Sequence, residues 1–254
     1  MVRTIVITGS ASGIGRETAR LCREAGDRVI GVDLKGADVE ADLGTPQGRA
    51  AMVEAVSRLA PDGIDGLVAG AGISRGDMPA ETVAINFFGA VATLEGLRPL
   101  LARGTRPRAV AICSTAAMLS PGGPTVEACL AGNEQAALDA IRGEPQGSYA
   151  HSKRALSLWM RRAAVRADWA GSGIALNGIG PGVTLTPMTT PLLDDPEMVK
   201  LVQQSNPIAT AAYAAPEEIA EVIRFMLTIE TPYMVGQLVF VDGGSDALLR
   251  PDTI

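Results

Sequence analysis

The chain has 254 residues, 47% of them hydrophobic but only 4% aromatic, and carries a net charge of −6. A core built from Ala, Val, Leu and Ile suits helices packed on both faces of a parallel sheet. The acidic balance argues against a nucleic-acid footprint, and no apolar run reaches the roughly 18 residues a membrane span needs. Cys22, Cys113 and Cys129 have no metal-binding spacing and cannot all pair, so reduced thiols in a cytoplasmic protein and no metal site are expected. Val2 and Arg3 lead straight into a strand pattern, without signal-peptide architecture.

Thr4-Ile-Val-Ile-Thr8 is a short β-branched run that ends in Gly9-Ser-Ala-Ser-Gly13-Ile-Gly15 and a helical pattern to Ala25 and Gly26. Strand, Gly-rich turn and helix make a phosphate-binding unit. The glycines allow close backbone approach, and the helix N-terminus offers free N–H groups. Ser12, Gly13 and Ile14 belong to that turn and are candidate cofactor contacts. The second predicted strand, Arg28 to Val32, closes on Asp33. A carboxylate there accepts hydrogen bonds from both ribose hydroxyls of an adenosine and repels a 2′-phosphate, which selects NAD. Lys35 is the one neighbouring positive charge that favours a phosphate. Asp42-Leu43 ends a weak third segment and meets the adenine edge.

A helix is predicted from Pro46 to Leu59, then a strand from Ile64 to Ala69 ending in Gly70-Ala71-Gly72. Small residues there, Ala71 and Gly72 among them, let a cofactor lie across the strand ends. The next helix, Ala80 to Leu101, carries Asn86 inside an apolar pattern. Two readings stand for it, a water-holding residue or a satisfied core amide. Ala109 to Cys113 is the fifth strand and Ser114 follows its carboxyl end, where open α/β sheets bind ligands.

Residues 115–148 are long for a connection. Val126, Cys129, Leu130, Ala137, Leu138 and Ile141 recur at helical spacing, interrupted near Gly132, so a small helical insertion is expected over about 120–146. Next comes Tyr149-Ala-His-Ser-Lys153, opening a helix predicted to reach about Ala170. Residues four apart share a helix face, so Tyr149 and Lys153 stand over one pocket. An adjacent ammonium lowers a phenol's pKa from about 10 and makes it a usable general acid or base. His151, rotated off that face, is expected at the solvent or rim.

Ile174 to Ile179 is the sixth strand. Pro181-Gly182-Val183-Thr184-Leu185-Thr186 begins a segment to Ser205 suited to a mobile lid with an apolar underside. Pro216 opens the last long helix, and Gln237 to Asp242 forms the seventh strand. No repeat or linker breaks the series, so residues 1–254 are read as a single domain.

Together these residues resemble the classical short-chain dehydrogenase/reductases. The likeness rests on Thr8-Gly9-x-x-x-Gly13-Ile14-Gly15, Asp33, Ala71-Gly72, Asn86, Ser114, Tyr149-x-x-x-Lys153 and Pro181-Gly182. It implies a doubly wound, seven-stranded parallel sheet (a Rossmann fold) and a Ser114-Tyr149-Lys153 triad with Asn86 as a fourth member. By that likeness Tyr149 exchanges the proton, Ser114 orients the substrate oxygen and Lys153 binds the nicotinamide ribose. Val183, Thr184 and Thr186 match positions that touch the nicotinamide carboxamide. The family's usual N-N-A-G stands here as Ala69-Gly70-Ala71-Gly72, so two hydrogen bonds supporting the central sheet are expected to be missing. The long insertion, Asp42-Leu43 and the Val241-Asp-Gly-Gly-Ser-Asp ending are similar to a bacterial 3α-hydroxysteroid dehydrogenase/carbonyl reductase subgroup. The expected activity is NAD-dependent interconversion of a secondary alcohol and a ketone. A dehydrogenase of a small cyclic or aromatic alcohol, and a non-catalytic dinucleotide-binding regulator, remain as alternatives. Family members commonly form tetramers. Here the insertion is expected to cover one interface and leave a homodimer through the last helix and seventh strand, near Ile219 to Val241.

Overall fold

The computed structural model describes residues 2–253. The domain limits expected at Met1 and Ile254 lie outside the described residues. Strand β1 (Thr4–Thr8) leads through the Gly-rich turn into α1 (Gly13–Glu24), then β2 (Arg28–Asp33) and a two-residue β3 (Val39–Glu40). That third strand stops short of Asp42-Leu43, which form a turn instead. Helix α2 (Pro46–Leu59) starts where expected, because Thr45 accepts a capping hydrogen bond from Gly48 N at 3.0 Å and Pro46 presets the first turn. Strand β4 (Gly66–Ala69) follows.

The helix expected over Ala80 to Leu101 comes in three parts: α3 (Pro79–Val83), a π-helical turn (Ala84–Gly89) and α4 (Ala90–Leu101). The π turn brings Gly89 against Leu43. A Cβ at Gly89 would sit 3.0 Å from the Leu43 carbonyl oxygen. Strand β5 (Arg108–Ile112) precedes the insertion, which is two helices, α5 (Pro124–Leu130) and α6 (Glu134–Gly143), broken around Gly132 at φ +71°. Both pack back onto the body, α5 on α7 (Ser148–Ala164) and α6 on α3.

Helix α7 ends at Ala164 rather than Ala170. The chain turns there so that Trp169 is fully buried, and a 3₁₀ turn with Gly173 in the left-handed region delivers it to β6 (Ala175–Pro181). The segment expected as a lid holds α8 (Thr190–Leu193) and α9 (Pro196–Ser205). Then come α10 (Pro216–Thr228), β7 (Leu238–Val241) and a short α11 (Ser245–Leu249).

All strand pairs are parallel, in the order β3-β2-β1-β4-β5-β6-β7. This is the doubly wound seven-stranded sheet that the sequence predicted. Alternate residues face opposite layers, as strand geometry requires. Val6, Leu67 and Ala109 join the core under α2, α4 and α7, whereas Ile5, Ile7, Val68 and Val110 join the core under α1 and α10. Strand order reverses between β1 and β4, and the crevice at their carboxyl ends is where such sheets bind ligands.

Candidate active site

A cavity of about 350 Å³ opens at that crevice. The Gly-rich turn forms its floor. Gly15 has no room for a side chain, since a Cβ would lie 2.0 Å from the Gly9 carbonyl oxygen. Gly13 adopts φ +51° against the Thr186 methyl. Ser12 is the N-cap of α1 but its side chain makes no capping bond, and no acid stands in the first turn. The first N–H groups of α1 are therefore left for an anionic ligand, as a pyrophosphate-binding turn requires. These features fit the phosphates of a dinucleotide.

Asp33 lines the same cavity. Its two oxygens accept hydrogen bonds from Ala11 N at 2.9 Å and Leu34 N at 2.7 Å. The carboxylate thus braces the Gly-rich turn while keeping lone pairs for a ligand. Asp42 and Leu43 also line this end. Ala69 and Gly70 bring no side-chain hydrogen bonds to the sheet, as expected, and the turn after β4 is held from β1. Thr8 Oγ1 accepts from Gly70 N at 3.0 Å and from Ala71 N at 3.2 Å, which holds the small-residue turn against the Gly-rich one.

Ser114, Tyr149 and Lys153 line the same cavity. Ser114 follows β5 and its Oγ accepts from Ala116 N at 3.1 Å. Lys153 is buried, donates from Nζ to the Ile112 carbonyl at 2.8 Å and lies 5.8 Å from the Tyr149 ring centroid. Burial pushes its pKa down to about 8. The Tyr149 phenol is not lowered as expected. Burial pushes it up, and the opposing pull comes from the Ser114 hydroxyl rather than from Lys153. The reason is geometric: the ammonium is turned to a backbone carbonyl and is itself destabilised by desolvation.

Asn86 and Val183 are the expected site residues that do not line the cavity. Asn86 is fully buried and satisfied. Its Oδ1 accepts from Ile73 N at 2.8 Å, and its Nδ2 donates to Ile73 O at 2.9 Å and Ser152 Oγ at 3.1 Å. Ser152 in turn donates to the Tyr149 carbonyl at 2.8 Å. The amide therefore fastens the turn after β4 to the helix bearing Tyr149, which is the core-amide reading. His151 is also not at the rim. It is 4% exposed, with Nδ1 2.7 Å from Ser120 Oγ and Nε2 3.2 Å from Glu144 Oε2. It ties both ends of the insertion to α7.

Gly9, Ser12, Gly13, Ile14, Gly15, Ala71, Gly72, Pro181, Gly182, Thr184 and Thr186 all reach the cavity. Sequence reasoning missed Ile73 and Ile85, which supply apolar wall beside Pro187 and Met188 from the start of the segment expected to have an apolar underside. Ile85 is turned to the cavity within the π turn, which the sequence pattern does not announce. Nothing in the sequence marks Ile73, which the chain reversal after β4 turns inward.

A family model described as enoyl-(acyl carrier protein) reductase matches residues 9–246. A 3-alpha-hydroxysteroid dehydrogenase/carbonyl reductase of Comamonas testosteroni is 36% identical, over 97% of this chain and 98% of that protein. A coniferyl-alcohol dehydrogenase of Pseudomonas sp. (strain HR199) is 32% identical over 95% and 96%. Among solved structures, the 3-alpha-hydroxysteroid dehydrogenase of Pseudomonas sp. B-0831, complexed with NADH, superimposes with TM-score 0.93 at 40% identity, over 99% of this chain and 100% of that one. With a glycine-lined cavity at the switch point of a seven-stranded sheet and relatives matched end to end, the chain belongs to the short-chain dehydrogenase/reductase family of oxidoreductases.

Proposed function

We propose that the protein is an NAD-dependent dehydrogenase that interconverts a secondary alcohol and a ketone. The supporting observation is that Ser114, Tyr149 and Lys153 line one cavity with Asp33 and the Gly-rich turn. The first N–H groups of α1 hold the pyrophosphate, Asp33 the adenosine ribose and Lys153 the nicotinamide ribose. A bound nicotinamide supplies the site that accepts or returns the hydride. In oxidation, the Ser114 hydroxyl would hold the substrate oxygen, and Tyr149, once its own proton has passed to solvent, would take the alcohol proton as the hydride leaves. In reduction, Tyr149 returns that proton. Asn86 acts as a positioning residue through Ser152, and Thr184 and Thr186 border the nicotinamide end.

The apolar wall of Ile73, Pro187 and Met188, together with the hydroxysteroid dehydrogenase relatives, favours a bulky apolar substrate such as a 3α-hydroxysteroid or the matching ketone. The coniferyl-alcohol and cis-4-hydroxycyclohexanecarboxylate dehydrogenase relatives favour the second reading, a small cyclic or aromatic alcohol. A regulator that only binds dinucleotide has no use for the triad. We read residues 1–254 as one domain acting in the cytoplasm as a homodimer.

The test is reduced-nicotinamide absorbance across a screen of hydroxysteroids, aromatic ketones and small alcohols. General acid–base catalysis contributes about 10²- to 10⁴-fold, so Tyr149→Phe should lose that much turnover while still binding NAD. A variant keeping more than about a tenth of the rate removes Tyr149 from the mechanism.

A further inference from the structure

The insertion reaches the cofactor cavity through one buried guanidinium. Arg49, on α2, is 8% exposed. Its Nε donates to the Leu43 carbonyl at 2.8 Å, and its Nη2 donates to the Gly44 carbonyl at 3.2 Å and the Ala84 carbonyl at 3.3 Å. Nη1 and the same Nη2 also form a bidentate pair with Glu134, at 2.7 Å on each side. Glu134 is the first residue of α6, with a side chain 27% exposed. Two of the carbonyls belong to the turn carrying Asp42 and Leu43, and the third belongs to the residue before Ile85. Asp42, Leu43 and Ile85 all line the cavity together with Asp33, which the proposed dinucleotide reading assigns to the adenosine. The π turn offers the Ala84 carbonyl to a side chain, and Gly89 lets Leu43 pack directly on it.

A guanidinium in this position needs a carboxylate, because three carbonyls alone leave a buried charge uncompensated. The carboxylate comes from the insertion. The planar fork then holds both walls and α6 in one geometry.

We propose that the helical insertion is part of the dinucleotide site: Glu134, acting through Arg49, positions the Asp42–Gly44 turn and the Ile85 wall against the adenine. Both are positioning residues, and the proposal rests on the dinucleotide reading above. The insertion thus sets cofactor affinity from outside the cavity.

The experiment is calorimetric titration with ADP-ribose, which carries the adenine end and no nicotinamide, on wild type, Glu134→Gln and Glu134→Asp. Coupling of this kind carries about 3- to 30-fold in affinity. Glu134→Gln should weaken ADP-ribose by that factor and raise the KM for NAD in parallel, with kcat at saturating NAD within about two-fold. Glu134→Asp keeps the charge and should recover part of the loss. Hydrogen exchange over residues 42–45 should speed up in Glu134→Gln and stay unchanged over β1. Unaltered ADP-ribose affinity in Glu134→Gln, or a fall in kcat alone, overturns the inference and leaves the dinucleotide reading in place. A wild-type protein that binds no ADP-ribose overturns that reading and the inference with it. If Glu134→Gln does not fold, the comparison of Glu134→Asp with wild type decides by the same two readouts.

Discussion

Replacing Asp33 by Asn should collapse the discrimination between NAD and NADP. The carboxylate cannot swing away from a ligand cheaply, because Ala11 N and Leu34 N hold its two oxygens at 2.9 and 2.7 Å. On the dinucleotide reading proposed above it would accept from the ribose hydroxyls of NAD, and a hydrogen bond to a charged group contributes about 1.5–3 kcal/mol. With NADP one such bond is lost and a phosphate is brought against the carboxylate. At about 4 Å and an effective dielectric near 20, each pair of unit charges costs roughly 4 kcal/mol before screening. Lys35 is exposed, so its offset is weakened by salt and water. Wild type should therefore prefer NAD by at least about 100-fold, equivalent to roughly 2.7 kcal/mol. Asp33→Asn keeps the shape and one acceptor oxygen but removes the charge. It also loosens the Gly-rich turn, because the amide nitrogen cannot accept from Ala11 N or Leu34 N. NAD efficiency should fall and NADP efficiency rise, bringing the ratio within about ten-fold. The assay is kcat/KM for both cofactors in wild type and variant. Equal use of both by the wild type, or an unchanged ratio in the variant, refutes the reasoning.

Lys153→Met should stabilise the fold near neutral pH while weakening cofactor binding. The ordinary lysine pKa of 10.5 is pushed down to about 8 in the folded chain. Between those values the unfolded chain binds more protons, so wild-type stability rises with pH across that window. The advantage of the variant, on the order of 3 kcal/mol near pH 7, should shrink towards pH 10 in urea titrations. An equal advantage at both pH values would show that Lys153 is not the titrating group. His151→Leu strips the buried Ser120 hydroxyl of its imidazole partner and should cost about 1–3 kcal/mol, with His151→Gln recovering part. An unchanged urea midpoint would mean the clasp contributes nothing. In solution, light scattering should give the mass of two chains. Phe225→Glu, at a 55% exposed position on α10, should give one. A stable tetramer at micromolar concentration rules out the dimer.

Most of the architecture is legible in the chain because its signals are local. β-branched runs end in glycines, Thr45-Pro46 starts α2, and helical spacing interrupted at Gly132 marks two insertion helices. The four-residue spacing of Tyr149 and Lys153 is enough to place both on one face. The sheet order 3-2-1-4-5-6-7 then brings Gly13, Asp33, Ser114 and Tyr149 to one crevice, since all four follow or face strand carboxyl ends.

What the sequence could not carry depends on distant partners. Whether a buried polar group is satisfied is decided by what folds against it, so Asn86 is a core fastener and His151 a buried clasp. Desolvation is likewise a property of the assembled site. It raises Tyr149 and lowers Lys153, although their spacing alone suggested a mutual stabilisation of charge. Helix α7 stops at Ala164 and the core takes the Trp169 ring just beyond it, a burial that only the assembled fold defines. Arg49 and Glu134 look like ordinary surface charges on two helices. Only tertiary packing brings the half-buried α6 carboxylate onto the buried α2 guanidinium, whose charge it compensates.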